Sequence, residues 1–369
     1  MRGKSRRYLL LLVAIAGLAY FFYKFRNSIT LQGFRWSMVG ESLRHANPFL
    51  LILGILTTYA CFALRAVRWM RFSRSFGEMR FPSVYSATLM GFTCTFLLGR
   101  AGEPIRPVLI ARKDSLSIPH MFGVYVLERV FDMAAAIVLA GSALLLFQRS
   151  ELGGSDPQIL RIARSAGAAL LAGLLVVVAF LIYFRFHGAG WLSRKLQHET
   201  WRTGWREKIA VLLEGFSDGL QGVRTWEDLG VLVGYTVVHW IGVACAYFFV
   251  AHAFPGQLGV LSFAGATLVL AFTLVGSAAQ LPGVGGGAQV ATFLVLTLLF
   301  DIDKESAATM AIVVWLATFA SCCIAGLPLL FREGWSMGEL RQMAKAEEQA
   351  GEAALLAEAE QAADSEGQR

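Results

Sequence analysis

Charged residues inside long apolar segments most constrain how this chain can fold. Segment 119–147 is largely apolar, yet it contains Glu128, Arg129 and Asp132. A charge at membrane depth costs roughly 2.5–3.5 kcal/mol. We therefore expect these side chains to face a protein interior or a polar ligand, not lipid. Apolar segments recur along the chain, near residues 8–23, 49–64, 84–98, 119–147, 160–184, 229–253, 258–281, 288–300 and 306–331.

The composition agrees with a membrane protein. Hydrophobic residues make up 56% of the chain, charged residues only 16%, and the mean hydropathy is +0.56. Soluble domains carry about 25% charged residues. The net charge is +7, and the basic residues cluster in loops between apolar segments. Membrane proteins carry such positive loops on their cytoplasmic side, so we expect no nucleic-acid partner.

Loop charge predicts the topology. The basic N-terminus precedes apolar residues 8–23, which lack a small-residue cleavage site and predict an uncleaved first helix. Loops 65–83 and 185–228 are rich in arginine and lysine, and loops 148–159 and 252–258 carry almost none. These charges agree with the positive-inside rule only if two short segments, 84–98 and 288–300, each belong to a hairpin that enters the membrane and returns to the same side.

The predicted fold is an all-α polytopic membrane protein with six full transmembrane helices and two re-entrant helical hairpins. The order of elements predicts inverted repeats, about 1–147 and 160–331, within a membrane domain at 1–333. Segment 188–226 is predicted to form cytoplasmic interfacial helices, and 334–369 is an Ala/Glu-rich cytoplasmic tail. Inverted repeats place broken helices at a shared substrate site.

The first predicted break, 99–106, brings further charges: Arg100, Glu103 and Arg106. Glu128 and Asp132 are spaced i,i+4 and share a helix face. Arg106 or Arg100 is expected to face these two acids or a lipid phosphate, because the planar guanidinium binds two oxygens at once. Arg129 is expected to pair with Glu103. The alternative is a buried ion-pair network that only locks the hairpin to the helix.

The second predicted break is rich in glycine. Glycines allow a tight turn and can offer backbone N–H groups to an anion. A tightly packed turn is the structural alternative. The candidate residues are Gln280, Gly283, Gly285, Gly286, Gly287 and Gln289.

Enzyme and metal motifs are absent from the sequence. The five cysteines form no CxxC pair and the six histidines show no ligand spacing, so we predict no metal, no cofactor and no enzymatic activity. His239 lies within an apolar segment, where it is a relay group or a hydrogen-bonded packing residue.

Several motifs resemble the lysylphosphatidylglycerol synthase transmembrane, or flippase-like, family. They are Leu64–Trp69 (LRAVRW), Gly99–Arg112 (GRAGEPIRPVLIAR), Glu128–Asp132 (ERVFD) and Leu281–Gly287 (LPGVGGG). The resemblance covers roughly residues 45–331. It implies a lipid-translocating membrane module whose polar core consists of Arg100, Glu103, Arg106, Glu128, Arg129 and Asp132. Members often have Glu where this chain has Gln289, and Arg where it has Trp315. These differences leave the class of transported lipid open: it is an aminoacylated lipid, a polyprenyl phosphate, a glycolipid or a hopanoid-like lipid.

The expected function is a flippase of the bacterial inner membrane that moves an anionic or zwitterionic phospholipid between leaflets, with both termini in the cytoplasm. Two alternatives remain open. One is a membrane scaffold that recruits a lipid-synthesising enzyme, and the other is a membrane-embedded lipid transferase.

Overall fold

The computed structural model describes residues 35–74, 76–146, 161, 164–165, 167–176, 226–277, 280–281, 285–335, 338–340 and 342. The predicted first helix at 8–23 lies outside these residues. Nearly all of the predicted interfacial segment 188–226, and most of the tail, also lie outside them.

The described chain is a bundle of α-helices with one two-residue pair of strands. Four helical stretches are long and apolar enough to cross a membrane: Pro48–Phe72, Phe81–Gly102, Glu227–His252 and Lys304–Arg332. In chain order the helices are α1 (Trp36–Arg44), α2 (Pro48–Phe72), α3 (Phe81–Leu98), α4 (Ile105–Lys113), α5 (Ile118–Leu146), α6 (Gly167–Val176), α7 (Trp226–His252), α8 (Phe263–Gly276), α9 (Gly287–Leu298), α10 (Lys304–Trp315) and α11 (Cys322–Arg332). A π-helical segment, Leu316–Ala320, joins the last two.

Helix α2 is longer than the apolar segment 49–64 that predicted it. It starts where the Asn47 side chain accepts a hydrogen bond from Phe49 N at 3.0 Å, with Pro48 in the first turn, where no N–H is required. It continues to Phe72, so the predicted loop 65–83 is wrong at its start. Arg65 and Arg68 lie inside the helix because carboxylates on a neighbouring helix neutralise them.

Helices α3 and α4 form hairpin A (81–113). A Cβ on Gly102 would overlap the Cys94 carbonyl, so the two arms touch at the tip. At the other end, Lys113 Nζ donates to Ser86 Oγ at 2.5 Å. Both arms therefore begin and end on the same side of the bundle. A short 3₁₀ turn, Gly99–Gly102, forms the break.

Helices α8 and α9 form hairpin B (263–298) in the same manner. A Cβ on Gly276 would overlap the Gly287 carbonyl near the tip. Further along, the hydroxyls of Thr273 and Thr292 lie 2.6 Å apart. The tip contains strands β1 (Gln280–Leu281) and β2 (Gly285–Gly286), which pair antiparallel.

The two hairpins enter the bundle from opposite ends. Lys113 at the open end of hairpin A forms an ion pair with Glu333, just beyond α11. At the other end, Asp303 N donates to Gln257 at 3.1 Å beside the open end of hairpin B. The tips meet inside the bundle, because Cα atoms of β1 lie within 8 Å of Cα atoms in the 3₁₀ turn of hairpin A. The prediction that the two breaks approach each other is confirmed.

Candidate functional site

Six charged side chains from three helices form one buried network, called here the ion-pair cluster. Arg65 Nη1 lies 2.7 Å from Glu128 Oε1 and 2.9 Å from Asp132 Oδ2. Arg68 Nη2 lies 3.0 Å from Glu128 Oε1 and 2.6 Å from Asp132 Oδ1. Both carboxylates therefore bind the same two guanidinium groups. The members are Arg65, Arg68, Arg106, Glu128, Arg129 and Asp132.

Helix geometry explains the double pairing. Arg65 and Arg68 are spaced i,i+3 on α2, and Glu128 and Asp132 are spaced i,i+4 on α5, so each pair lies on one helix face. The two helices run antiparallel, and Ser73 near the end of α2 contacts Met121 near the start of α5. The two faces are thus aligned along their length.

Hairpin A supplies Arg106, which forms an ion pair with Glu128. Helix α3 comes close at this point because Gly91 has no side chain; a Cβ there would lie 2.5 Å from Arg106 Cβ. Aromatic rings surround the guanidinium, with centroids of Trp69, Phe92 and Tyr125 at 5.0, 5.3 and 5.6 Å. Cation–π contacts of this kind stabilise a desolvated guanidinium.

Helix α7 completes the surroundings of the cluster with two polar side chains. Arg68 Nη1 donates to Thr236 Oγ1 at 3.1 Å. His239 Nε2 lies 3.0 Å from Arg65 Nη2, and its Nδ1 lies 3.2 Å from the Cys61 carbonyl oxygen. Since arginine only donates and a carbonyl only accepts, these contacts require a neutral imidazole protonated on Nδ1. His239 therefore positions Arg65.

The tip of hairpin A places its other charges differently from the prediction. Glu103 accepts a hydrogen bond from the Tyr125 hydroxyl at 2.6 Å. Arg129, expected to pair with Glu103, instead lies 3.6 Å from Glu128 and 3.4 Å from Asp132. It pairs there because i,i+3 geometry brings it back to Asp132. Arg100 is exposed.

At the tip of hairpin B, the described polar groups form hydrogen bonds with one another. Gln280 pairs with Gly286 through the strands, and Gly286 has φ +123°, a conformation that favours glycine. Gly286 N donates to the Gln289 side chain at 2.6 Å, which caps α9 at Gly287. Gly285 lies in β2 beside them, and Gly283 lies outside the described residues.

The cluster is largely buried, and Arg129 is its most exposed side chain. The side chains of Arg68 and Glu128 are 0% exposed, whereas that of Arg129 is 38% exposed. A cavity of about 380 Å³ lies at the open end of hairpin A, lined by Arg80, Pro82, Ser83, Ser86 and Lys113. A groove of about 290 Å³ beside the π-helical segment is lined mainly by apolar residues. Neither of these two includes a member of the cluster.

Arg65 and Arg68 are the site residues that sequence reasoning missed. The spacing could have indicated them, because an i,i+3 arginine pair on one segment can bind an i,i+4 acid pair on another. The sequence prediction placed both arginines in a loop instead. Within the described ranges, no three histidine, cysteine, aspartate or glutamate side chains are placed to hold a metal ion.

Comparison with known proteins gives a family for the chain. No curated protein matches the chain. The family described as the lysylphosphatidylglycerol synthase TM region matches residues 8–326, which is most of the chain. Its apolar helices and this match identify a multi-pass membrane protein with a lipid-related role. The chain belongs to the lysylphosphatidylglycerol synthase TM family.

Proposed function

We propose that this protein is a lipid flippase that moves an anionic or zwitterionic phospholipid between the leaflets of the bacterial inner membrane. One observation carries the proposal: the breaks of two hairpins that enter from opposite ends lie next to each other, and hairpin A also contributes Arg106 to the ion-pair cluster. Non-helical backbone at membrane depth is tolerated where it is buried in protein or lines a cavity.

The arrangement supports alternating access. The helix–hairpin–helix order of α2 to α5 recurs in α7 to α11 with the opposite direction, as expected for inverted repeats around a shared site. Both hairpins are re-entrant in this proposal. Arg100, Glu103 and Arg129 would receive the headgroup at the first tip. Gly285 and Gly286 of β2, with Gly287 at the start of α9, would close the site from the other side.

The headgroup would exchange with the cluster through Arg129. The described cavities do not reach the cluster, so this conformation corresponds to an occluded state. Opening at the end of hairpin A would separate Lys113 from Glu333, the ion pair that joins the hairpin to the end of α11. Such a surface ion pair costs little to break, about 0–1 kcal/mol.

Charge at the two ends supports cytoplasmic termini. The end that holds the opening of hairpin A is rich in basic residues. At the other end, segment 301–305 holds three acids, Asp301, Asp303 and Glu305, against one lysine. Positive residues favour the cytoplasm. The basic residues are Arg74, Arg80, Arg112, Lys113 and Arg332.

Cysteine labelling tests the proposed topology. In a background without the native cysteines, Ser115→Cys is expected to react with an impermeant thiol reagent only after the membrane is opened, and Ser306→Cys in intact cells. Ser115 follows hairpin A, and Ser306 lies in the first turn of α10 at the opposite end. Labelling of Ser115→Cys in intact cells would show that hairpin A crosses the membrane fully.

Reconstitution tests the function. The purified full chain in vesicles is expected to expose an inner-leaflet fluorescent phospholipid to an impermeant quencher. Arg129→Gln is expected to slow this exposure about ten- to a hundredfold, the loss of one hydrogen bond to a charged group worth about 1.5–3 kcal/mol. The matched control is Arg74→Gln at an exposed arginine outside the cluster.

Two results would contradict the proposal. Lipid movement no faster than in protein-free vesicles would remove the transport function and leave the scaffold. A chemically altered lipid, detected by mass spectrometry after incubation with the purified protein, would favour the transferase.

A further inference from the structure

We propose that Tyr125 is a positioning residue that keeps the Glu103 carboxylate away from the Arg129 guanidinium, so that both charges stay available to a lipid headgroup. This inference rests on the proposed function and deepens it, because Glu103 and Arg129 are two of the charges that would receive the headgroup at the tip of hairpin A. Tyr125 lies outside all the motifs that the sequence analysis selected.

The Tyr125 side chain contacts both charges at the same time. Its hydroxyl donates to Glu103 Oε2 at 2.6 Å, a length typical of a hydrogen bond to an ionised carboxylate. Its ring lies beside Arg129, whose Cζ is 5.2 Å from the ring centroid. Tyr125 and Arg129 are spaced i,i+4 on α5 and therefore share a helix face. One tyrosine is thus the neighbour of an acid on hairpin A and of a base on α5.

Arg129 has donors that its present partners do not use well. Its Nη2 lies 3.6 Å from Glu128 Oε2 and 3.4 Å from Asp132 Oδ2, whereas hydrogen bonds between a guanidinium and a carboxylate are usually about 2.7–2.9 Å long. Its Nε is buried and has no hydrogen-bond partner among the described residues. A buried donor without a partner is unfavourable, so Arg129 is ready to bind a further carboxylate or a ligand.

Glu103 is the carboxylate that competes with a ligand for Arg129. Its charge acts on Arg129, yet these two described side chains do not form an ion pair, because the tyrosine hydroxyl holds the carboxylate instead. Both side chains are long and both are neighbours of Tyr125, so a change of rotamer can join them once the hydroxyl is absent. An ion pair would then replace two separate charges.

The other two arginines of hairpin A near Glu103 are poorer partners for it. Arg106 is already bound by Glu128 and has aromatic rings around its guanidinium. Arg100 is exposed, and ion pairs at exposed positions contribute little. A Glu103 carboxylate released from Tyr125 is therefore expected to bind Arg129.

A double-mutant cycle measures whether the hydroxyl prevents this ion pair. Glu103→Gln and Arg129→Gln are made singly and together, in the unmodified chain and in Tyr125→Phe, and their coupling is taken from unfolding of the purified full chain in mixed micelles. In Tyr125→Phe the coupling is expected to be larger by at least about tenfold in the unfolding equilibrium constant, the factor for one hydrogen bond to a charged group. Equal coupling in the two backgrounds would overturn the inference.

Lipid movement in vesicles gives a second measurement. Tyr125→Phe is expected to slow the exposure of the fluorescent phospholipid about tenfold, because an Arg129 that is paired with Glu103 binds the headgroup less well. In a chain that already carries Arg129→Gln, Tyr125→Phe is expected to cause no further slowing, since the arginine that Glu103 would occupy is gone. A further slowing of similar size would show that the tyrosine only holds the tip in place, and would overturn the inference.

Tyr59→Phe is the matched control. The Tyr59 hydroxyl donates to the Ser321 carbonyl oxygen at 2.7 Å, so this variant also loses one hydroxyl hydrogen bond, but outside the cluster. It is expected to leave lipid movement near the level of the unmodified protein. An equal loss of lipid movement in the two tyrosine variants would contradict a special role of Tyr125.

The two measurements distinguish the two proposals. If the coupling between Glu103 and Arg129 rises in Tyr125→Phe but the unmodified protein moves no lipid, the proposed transport fails and the assignment of Tyr125 stands. If lipid moves but the coupling is the same in both backgrounds, the assignment of Tyr125 fails and the proposed transport stands.

Discussion

Replacement of Glu128 by glutamine is expected to abolish lipid movement and to lower the free energy of unfolding by about 3–5 kcal/mol, the cost of removing one partner from a buried ion pair. Glu128 is 0% exposed and meets Arg65, Arg68 and Arg106. Its loss would leave three positive charges in excess. Unfolding of the purified protein in mixed micelles measures the change.

A second substitution in the same chain tests whether the lost stability comes from the excess positive charge in the cluster or from the altered side-chain shape. Adding Arg106→Met to Glu128→Gln restores the original charge surplus, so part of the lost stability is expected to return while lipid movement stays absent. Glu103→Gln is the control, because Glu103 bonds to a tyrosine hydroxyl and lies outside the cluster; it is expected to cost about 1 kcal/mol. Unchanged stability in Glu128→Gln would show that the cluster is not held by ion pairing.

The second large effect is expected at the hairpin tips. Gly102→Val and Gly276→Val place side-chain atoms where the Cys94 and Gly287 carbonyls lie. Overpacking usually costs about 1–3 kcal/mol, and we expect the upper part of that range because backbone cannot move aside as a side chain can. Lipid movement is expected to stop in both variants, since each tip would be forced open.

Two glycines in open space provide the controls. A Cβ added to Gly234 in α7 or to Gly173 in α6 would meet no atom within 4 Å. Valine at either place is expected to leave lipid movement near the level of the unmodified protein. If Gly102→Val and Gly234→Val behaved alike, close contact of the hairpin arms would not be required for transport.

Hydropathy and loop charge were sufficient to predict the helical hairpins. The short segments 84–98 and 288–300 correspond to α3 and α9, and the glycine- and proline-rich breaks beside them are the tips. Glycine and proline limit helix continuation, so these boundaries are local properties. The number of full spans and the re-entrant course in the membrane remain predictions.

The partners of the charged residues could not be predicted from local sequence. The pairing of Arg65 and Arg68 with α5 depends on which helices become neighbours, and that is a long-range property. Local charge counting therefore assigned both arginines to a loop. Arg129 illustrates the same point. The sequence suggested Glu103 as its partner, but in the folded chain Glu103 accepts a hydrogen bond from the Tyr125 hydroxyl.

The distance along the chain between Arg68 and Glu128 has a consequence for synthesis. They are separated by 60 residues, so the arginine precedes its partner by about 3–12 s at roughly 5–20 residues per second. During that interval α2 carries Arg65 and Arg68 without carboxylates, at a cost of roughly 5–7 kcal/mol in the bilayer. Both arginines lie in the last third of α2, where long side chains can reach the headgroup region. Helix α2 would therefore stay shallow until α5 emerges from the ribosome, and the two helices would enter the bilayer as a pair.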